Sequence, residues 1–234
     1  MAVHRFERGL DLPLAGEPEQ SVHAAPAVAT VAVLADDYVG LKPTLHVRPG
    51  DRVSAGQPLL EDKSNPGVRF TSPVAGTVLA IHRGERRALQ SIVIERDSEQ
   101  PAVPFPAAPG RRPAELDAAA VRTLLVASGL WTAFRTRPFS RVPGVDAVPY
   151  AIFVTAIDTR PHAPQVERAL DGRKDDFAAG LACVARLCPG TTFLCVSPGS
   201  GLQPPDVERL RLETFDGPHP AGNVGTHIHF LAPV

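Results

Sequence analysis

The stretch of the chain best equipped for chemistry is GLWTAFRTRPFSRVPG, which begins at Gly129. Trp131, Phe134 and Phe139 are interleaved there with Arg135, Arg137 and Arg141. Aromatic rings can sandwich a flat ring, and guanidinium groups can donate to its carbonyl oxygens or stack on its face. The same residues would also suit a plain seam between two domains. A second candidate is FDGPHPAGNVGTHIHF, which holds His219, Gly222, Gly225 and His227. Open α/β sheets bind ligands in turns beyond their strand ends, and this glycine-containing turn has that character. Gly222 and Gly225 do not form GxGxxG, so the spacing does not specify a dinucleotide. On a strand, His227 and His229 would share a face as two metal ligands can; on a helix they would point apart. The only acidic side chains nearby are Glu213 and Asp216, and no metal site is expected.

Cys183, Cys188 and Cys195 form no CxxC pair. That argues against zinc or an iron–sulfur cluster, and an odd count suits a reducing compartment. Cys188 falls on an apolar helix face and Cys195 in a buried strand, where cysteine acts as a small apolar residue. Neither a Ser/His/Asp arrangement on an elbow motif nor a P-loop occurs, so no catalytic residue is assigned.

Positioning these residues requires two kinds of element. The first hundred residues read as short strands with turns at Pro49-Gly50-Asp51, Ala55-Gly56-Gln57-Pro58 and Asn65-Pro66-Gly67. VRPGDRVSAGQPLLEDK followed by VRFTSPVAGTV resembles the biotinyl/lipoyl-like barrel-sandwich hybrid. Carriers of that fold modify a lysine at a hairpin tip, and Lys63 lies near the equivalent place. Here the tip is lengthened by Asn65-Pro66-Gly67, so Lys63 is expected to be unmodified and the barrel to be structural. Pro-rich Gln100–Pro113 is a linker, Ala120, Val121, Leu124 and Leu125 repeat at helical spacing, and Gly129 is placed to end that helix. From Tyr150 the pattern becomes α/β. Buried strands are expected at Ala151–Ile157 and Thr192–Val196, a helix at Asp175–Cys188, and a third strand through Leu210, Leu212 and Thr214. The expected domains are a barrel-sandwich at 1–102, a linker, helix and aromatic/Arg seam at 103–147, and a partial Rossmann-like α/β domain at 148–234. HIHFLAPV is expected to follow the last strand with no capping element, which suggests a longer parent chain.

The totals narrow the function. The chain has 234 residues and a formal net charge of −1, which does not suit a nucleic-acid binder. No apolar run approaches the roughly 18 residues of a membrane span. The N-terminus MAVHRFERGLDLP has no long apolar core and is not a signal peptide. A cytoplasmic protein is expected, with any membrane attachment made through partners.

GLDLPLAG, DDYVGLKPTLHVRPGD, EDKSNPGVRFTSPVAG, HRGERRALQSIVIE, SGLWTAFRTRPFS, AIFVTAIDT and FDGPHPAGNVGTHIHF occur in this order. Together they resemble the A subunit of the bacterial sodium-translocating NADH:quinone oxidoreductases, over its N-terminal half. The resemblance implies a peripheral subunit on the cytoplasmic side of the inner membrane. Its complex would oxidise NADH, reduce ubiquinone and export sodium. Flavins and the iron–sulfur centre would sit in partner subunits, and this subunit would hold no cofactor of its own. It would help bind quinone beside the B subunit of the membrane part, and Trp131, Phe134, Arg135, Arg137 and Phe139 are the residues suited to that. The family's fold is similar to the flavoprotein subunit of respiratory complex I, but the glycine-rich flavin loop is absent here. Two alternatives stay open on sequence: a flavoprotein-type NADH-oxidising subunit and a biotinyl/lipoyl-like carrier.

Overall fold

The computed structural model describes residues 2–105 and 111–233. Two of the linker prolines, Pro106 and Pro109, lie outside these residues. The chain forms two compact units. One comprises Ala25–Gly110 and Ala119–Ala147; the other comprises Met1–Ala24, Arg111–Ala118 and Val148–Val234.

Strand β1 (Ala2–Arg5) belongs to the second unit. The first unit is the barrel-sandwich hybrid. An antiparallel sheet of β2 (Thr30–Leu34), β8 (Leu89–Arg96), β7 (Gly76–Arg83) and β4 (Arg52–Val53), in that order, accompanies a smaller one. The smaller sheet has β5 (Pro58–Asp62) between β3 (Pro43–Leu45) and β6 (Arg69–Thr71). Period-two alternation fills the interior: Ile92 and Ile94 of β8 are fully buried while Glu95 faces out. Leu59, Leu60, Val68 and Val78 complete a core with no solvent exposure.

Helix α1 (Ala118–Ala127) and the segment after it pack on this barrel. Gly129 follows α1 at φ 78°, in the left-handed region where helices commonly end. The Thr71 hydroxyl donates to the Ser128 carbonyl at 3.1 Å. Arg122 of α1 donates to the carbonyls of Val145 and Ala147. The aromatic/Arg segment is thereby an integral part of the barrel unit.

The second unit is built on a wholly parallel sheet, in the order β1, β11 (Leu210–Asp216), β10 (Thr191–Val196) and β9 (Ala151–Ala156). Between β9 and β10 run α2 (Val166–Ala169) and α3 (Lys174–Ala185). Strand β10 is buried at every position after Thr191, as a central parallel strand with two covered faces must be. One face presents Ala156, Leu194 and Val196 to Leu181 and Phe177 of α3. The other presents Phe193, Cys195 and Phe215, with Leu231 of α4 (Val224–Leu231) packed against them. Cys195 has no solvent exposure, and burial pushes its thiol up to about 12.

Three details differ from the sequence reading. The first 24 residues are part of the α/β unit, because β1 pairs with β11 from Ala2↔Glu213 to Arg5↔Asp216. That pairing spans almost the whole chain and leaves no local signature. Helix α3 ends at Ala185, although Leu187 and Cys188 just beyond it are still buried. Finally, β11 is followed by a helix: Val224, His227, Ile228 and Leu231 repeat at helical spacing, with Asn223 at the N-cap.

Candidate functional site

All four strands of the parallel sheet point the same way, so the loops at their carboxyl ends gather along one edge. The loop from Gly217 to Asn223, after β11, is fastened there on two sides. Thr159, beyond β9, accepts the Gly222 N–H on its Oγ1 at 3.0 Å, and the same hydroxyl lies 3.1 Å from His219 Nδ1. Asp11 accepts the His219 N–H at 3.0 Å, and Leu10 N–H donates to the His219 carbonyl at 2.8 Å. Three of these four bonds fix the backbone and the imidazole of His219, and the fourth holds Gly222.

The two histidines that follow have opposite environments, since α4 points them apart. His227 is fully buried against Phe215, with ring centroids 4.1 Å apart. Its Nε2 lies 2.9 Å from the Ala221 carbonyl, and its Nδ1 has no partner among the described residues. That geometry places the proton on Nε2. Desolvation holds the imidazole below its ordinary value of 6.5, outweighing the Ala221 bond, and His4 lowers it further. His229 is exposed, its ring edge-on to Phe230 at 4.9 Å.

Beside this loop is a cleft of about 360 Å³. Phe6 and Arg8, just after β1, form one side, and Thr226, His229 and Phe230 of α4 form another. Pro218, Pro220, Ala221 and Gly225 complete the lining. Of the loop residues expected from the sequence, only Gly225 lines it; His219 and Gly222 support the loop from behind, and His227 is core. Sequence reasoning misses Phe6 and Arg8, because it places the first residues in the barrel, and Phe230, because it expects no helix after the last strand. The one available signal is the His-x-His pair, whose second member does reach the cleft.

The neighbouring charges are mostly paired. Arg5 bonds Asp216 at 3.1 Å, and Arg160 bonds Asp158. The Arg160 bond holds the Asp158 carboxyl below its usual range. Arg8 has no ion-pair partner among the described residues, and no acidic side chain lines the cleft. Nor do the described residues contain three His, Cys, Asp or Glu side chains grouped to hold a metal.

The aromatic/Arg segment has its own geometry in the barrel unit. Trp131 is 4% exposed, and its Nε1 donates to the Pro143 carbonyl at 2.9 Å. Phe134 meets it edge-on at 5.2 Å, and the Arg122 guanidinium lies 5.2 Å from its ring centroid. Arg135 is held by the carbonyls of Thr132, Phe134 and Asp37, and its guanidinium lies 5.1 Å from the centre of the Tyr38 ring. From Thr136 to Arg141 the chain makes a closed turn: Arg141 O accepts both the N–H and the hydroxyl of Thr136. Arg137 and Phe139 are exposed on it, Phe139 by 73%. The five residues therefore divide into a fixed base (Trp131, Phe134, Arg135) and an accessible tip (Arg137, Phe139).

At the barrel hairpin, Lys63 is exposed, but the tip around it is tied down. Asp62 Oδ1 accepts from the N–H groups of Lys42 and Ser64 and from the Ser64 hydroxyl. Asn65 Nδ2 donates to the carbonyls of Val142 and Pro143, both at 3.1 Å.

A barrel-sandwich hybrid accompanied by a parallel α/β unit, with no helix among the described residues long and apolar enough to cross a membrane, defines a two-domain protein of the barrel-sandwich plus α/β class. Residues 4–97 match the NqrA N-terminal barrel-sandwich hybrid domain, and residues 116–234 match the NqrA second alpha/beta domain. The chain belongs to the NqrA family. It is 49% identical over 228 residues to the Na(+)-translocating NADH-quinone reductase A subunit of Shewanella amazonensis, covering 97% of this chain and 50% of that protein. To the corresponding subunit of Glaesserella parasuis it is 50% identical over 231 residues, covering 98% of this chain and 51% of the relative. The corresponding Vibrio anguillarum protein is 47% identical over 229 residues, with 98% and 51% covered. The chain thus spans about half the length of the curated relatives it matches.

Proposed function

We propose that this chain works within the A subunit of a membrane complex that oxidises NADH, reduces ubiquinone to ubiquinol and exports sodium. The observation that carries this reading is near-half identity along almost the entire chain to relatives bearing that subunit's name. The subunit sits on the cytoplasmic side, held to the membrane by its partners, the B subunit of the membrane part among them. The flavins and the iron–sulfur centre would be held by partner subunits. Those groups would carry the two electrons from NADH to the quinone, which takes up two protons as it becomes quinol. No step of that transfer needs a redox group in this chain.

Its contribution is to help hold the quinone. A quinone head is a flat ring with two carbonyl acceptors, and it calls for an aromatic wall and a donor. Phe139 and Arg137 offer both at the turn between Thr136 and Arg141. Trp131, Phe134 and Arg135 hold the base of that turn, as their bonds to Pro143, Thr132 and Asp37 favour. The guanidinium of Arg137 would stabilise negative charge growing on a reduced quinone oxygen. The assembly is tested by tagging the full-length protein in its native host. Co-purification with the other subunits and with NADH:ubiquinone activity is expected. Recovery of the tagged protein alone from membranes that retain this activity would overturn the reading.

A further inference from the structure

We propose that the cleft between β1 and α4 binds a flat aromatic molecule that carries one anionic group. Three observations converge on that class. First, the walls are aromatic and still open. Phe6 and Phe230 meet edge-on at 4.9 Å and 71°, and Phe230 remains 51% exposed. Pro218, Pro220 and Ala221 give the rest of the cleft an apolar surface without a flexible side chain to fill it. Second, the size suits one compact ring system, since about 360 Å³ is near the lower end of small-molecule sites.

The third observation is charge. The acids around the loop are already engaged: Asp216 by Arg5, Asp158 by Arg160, and Asp11 by the His219 N–H. Arg8 lines the cleft with its charge uncompensated by any ion pair among the described residues, and it faces no acid there. Gly225 and Thr226, in the first turn of α4, also line the cleft and add the positive end of that helix. Aromatic faces would hold the ring while Arg8 and the helix start select the negative group. The loop bonds of Thr159 and Asp11 keep Pro218–Ala221 in place, so the cleft is formed before a ligand enters.

Two fluorescent probes test this with the full-length subunit: anilinonaphthalene sulfonate, which is anionic, and phenylnaphthylamine, its uncharged counterpart. The sulfonate is expected to bind saturably, one per protein. Arg8→Ala, a change at an exposed position, should weaken sulfonate binding by roughly tenfold and the neutral probe by less than about twofold. Phe230→Ala should weaken both probes, and Arg111→Ala, an exposed control in the same unit, neither. Thermal midpoints of the variants monitor folding. Absence of saturable binding, equal losses for the two probes in Arg8→Ala, or unchanged sulfonate binding in that variant would overturn the proposal.

Discussion

The carbonyl of Pro143 accepts the indole N–H of Trp131 at 2.9 Å, and so ties the return of the aromatic segment to its base. The same oxygen accepts Asn65 Nδ2 at 3.1 Å, from the tip of the hairpin between β5 and β6. A buried bond of this kind contributes about 1 kcal/mol, and more when its loss strands a polar group. Trp131→Phe keeps an aromatic ring but removes the donor and part of the buried indole. It is expected to lower the unfolding free energy by about 1–2 kcal/mol, measured by urea denaturation. Asn65→Ala should cost a similar amount, and the two losses should not add, because both act on one carbonyl. Full additivity would show that the two contacts are independent.

Two glycines that follow β11, one in its loop and one in α4, should respond in opposite directions. A Cβ on Gly222 would lie 2.7 Å from the Thr159 backbone nitrogen and 3.0 Å from its Oγ1, the atom that accepts the Gly222 N–H. Gly222→Ala is therefore expected to destabilise by roughly 1–3 kcal/mol. A Cβ on Gly225 meets nothing within 4 Å, and this residue lies inside α4. Gly225→Ala should stabilise by about 0.5–1 kcal/mol. Thermal melts of the two variants settle the signs; a stabilised Gly222→Ala would mean that the loop does not press against Thr159.

His227 should make stability depend on pH. Burial holds its folded-state value below the 6.5 of the unfolded chain, so the unfolded state binds the extra proton. This histidine's contribution is fully present above pH 6.5 and is lost as pH falls through that value towards the lower folded one. The slope due to one such group cannot exceed about 1.4 kcal/mol per pH unit. His227→Gln retains a donor for the Ala221 carbonyl and removes the titration. Urea melts between neutral and mildly acidic pH should show a shallower loss for the variant. Asp158 is separable, because its carboxyl titrates below 3.8. Identical slopes for the two proteins would exclude the effect.

Lys63 should carry no lipoyl or biotinyl group in the native host. A carrier lysine must sit on a free, tight tip that a ligase can grip, whereas Asn65 anchors this tip to Val142 and Pro143. Intact-mass analysis of the native full-length protein is expected to show no such adduct, and a mass increment mapping to Lys63 would refute the argument.

What was legible in the sequence were the features written locally. The turn residues of the barrel and the buried runs of β9 and β10 reflect near-neighbour physics. The residues after Gly129 were recognisable as a cluster, but not their division into base and tip. That division depends on carbonyls of Pro143 and Asp37, whose positions no periodicity reveals. The cleft was least legible. Phe6 and Arg8 reach it only because β1 crosses to pair with β11, and His229 only because its segment is helical. A pairing between residues about two hundred positions apart has no local signature, and the His-x-His spacing fits strand and helix alike.

The role in quinone reduction is tested most directly by the assembled complex carrying Phe139→Ala or Arg137→Ala in this subunit. Both side chains are exposed, so assembly should survive the changes. The measurement is the KM for a short-chain ubiquinone, alongside NADH oxidation with ferricyanide as acceptor. The KM is expected to rise roughly five- to tenfold in each variant, equivalent to about 1–1.4 kcal/mol, with the ferricyanide rate unchanged. A quinone KM equal to that of the unmodified complex in both variants would contradict a quinone contact at this turn.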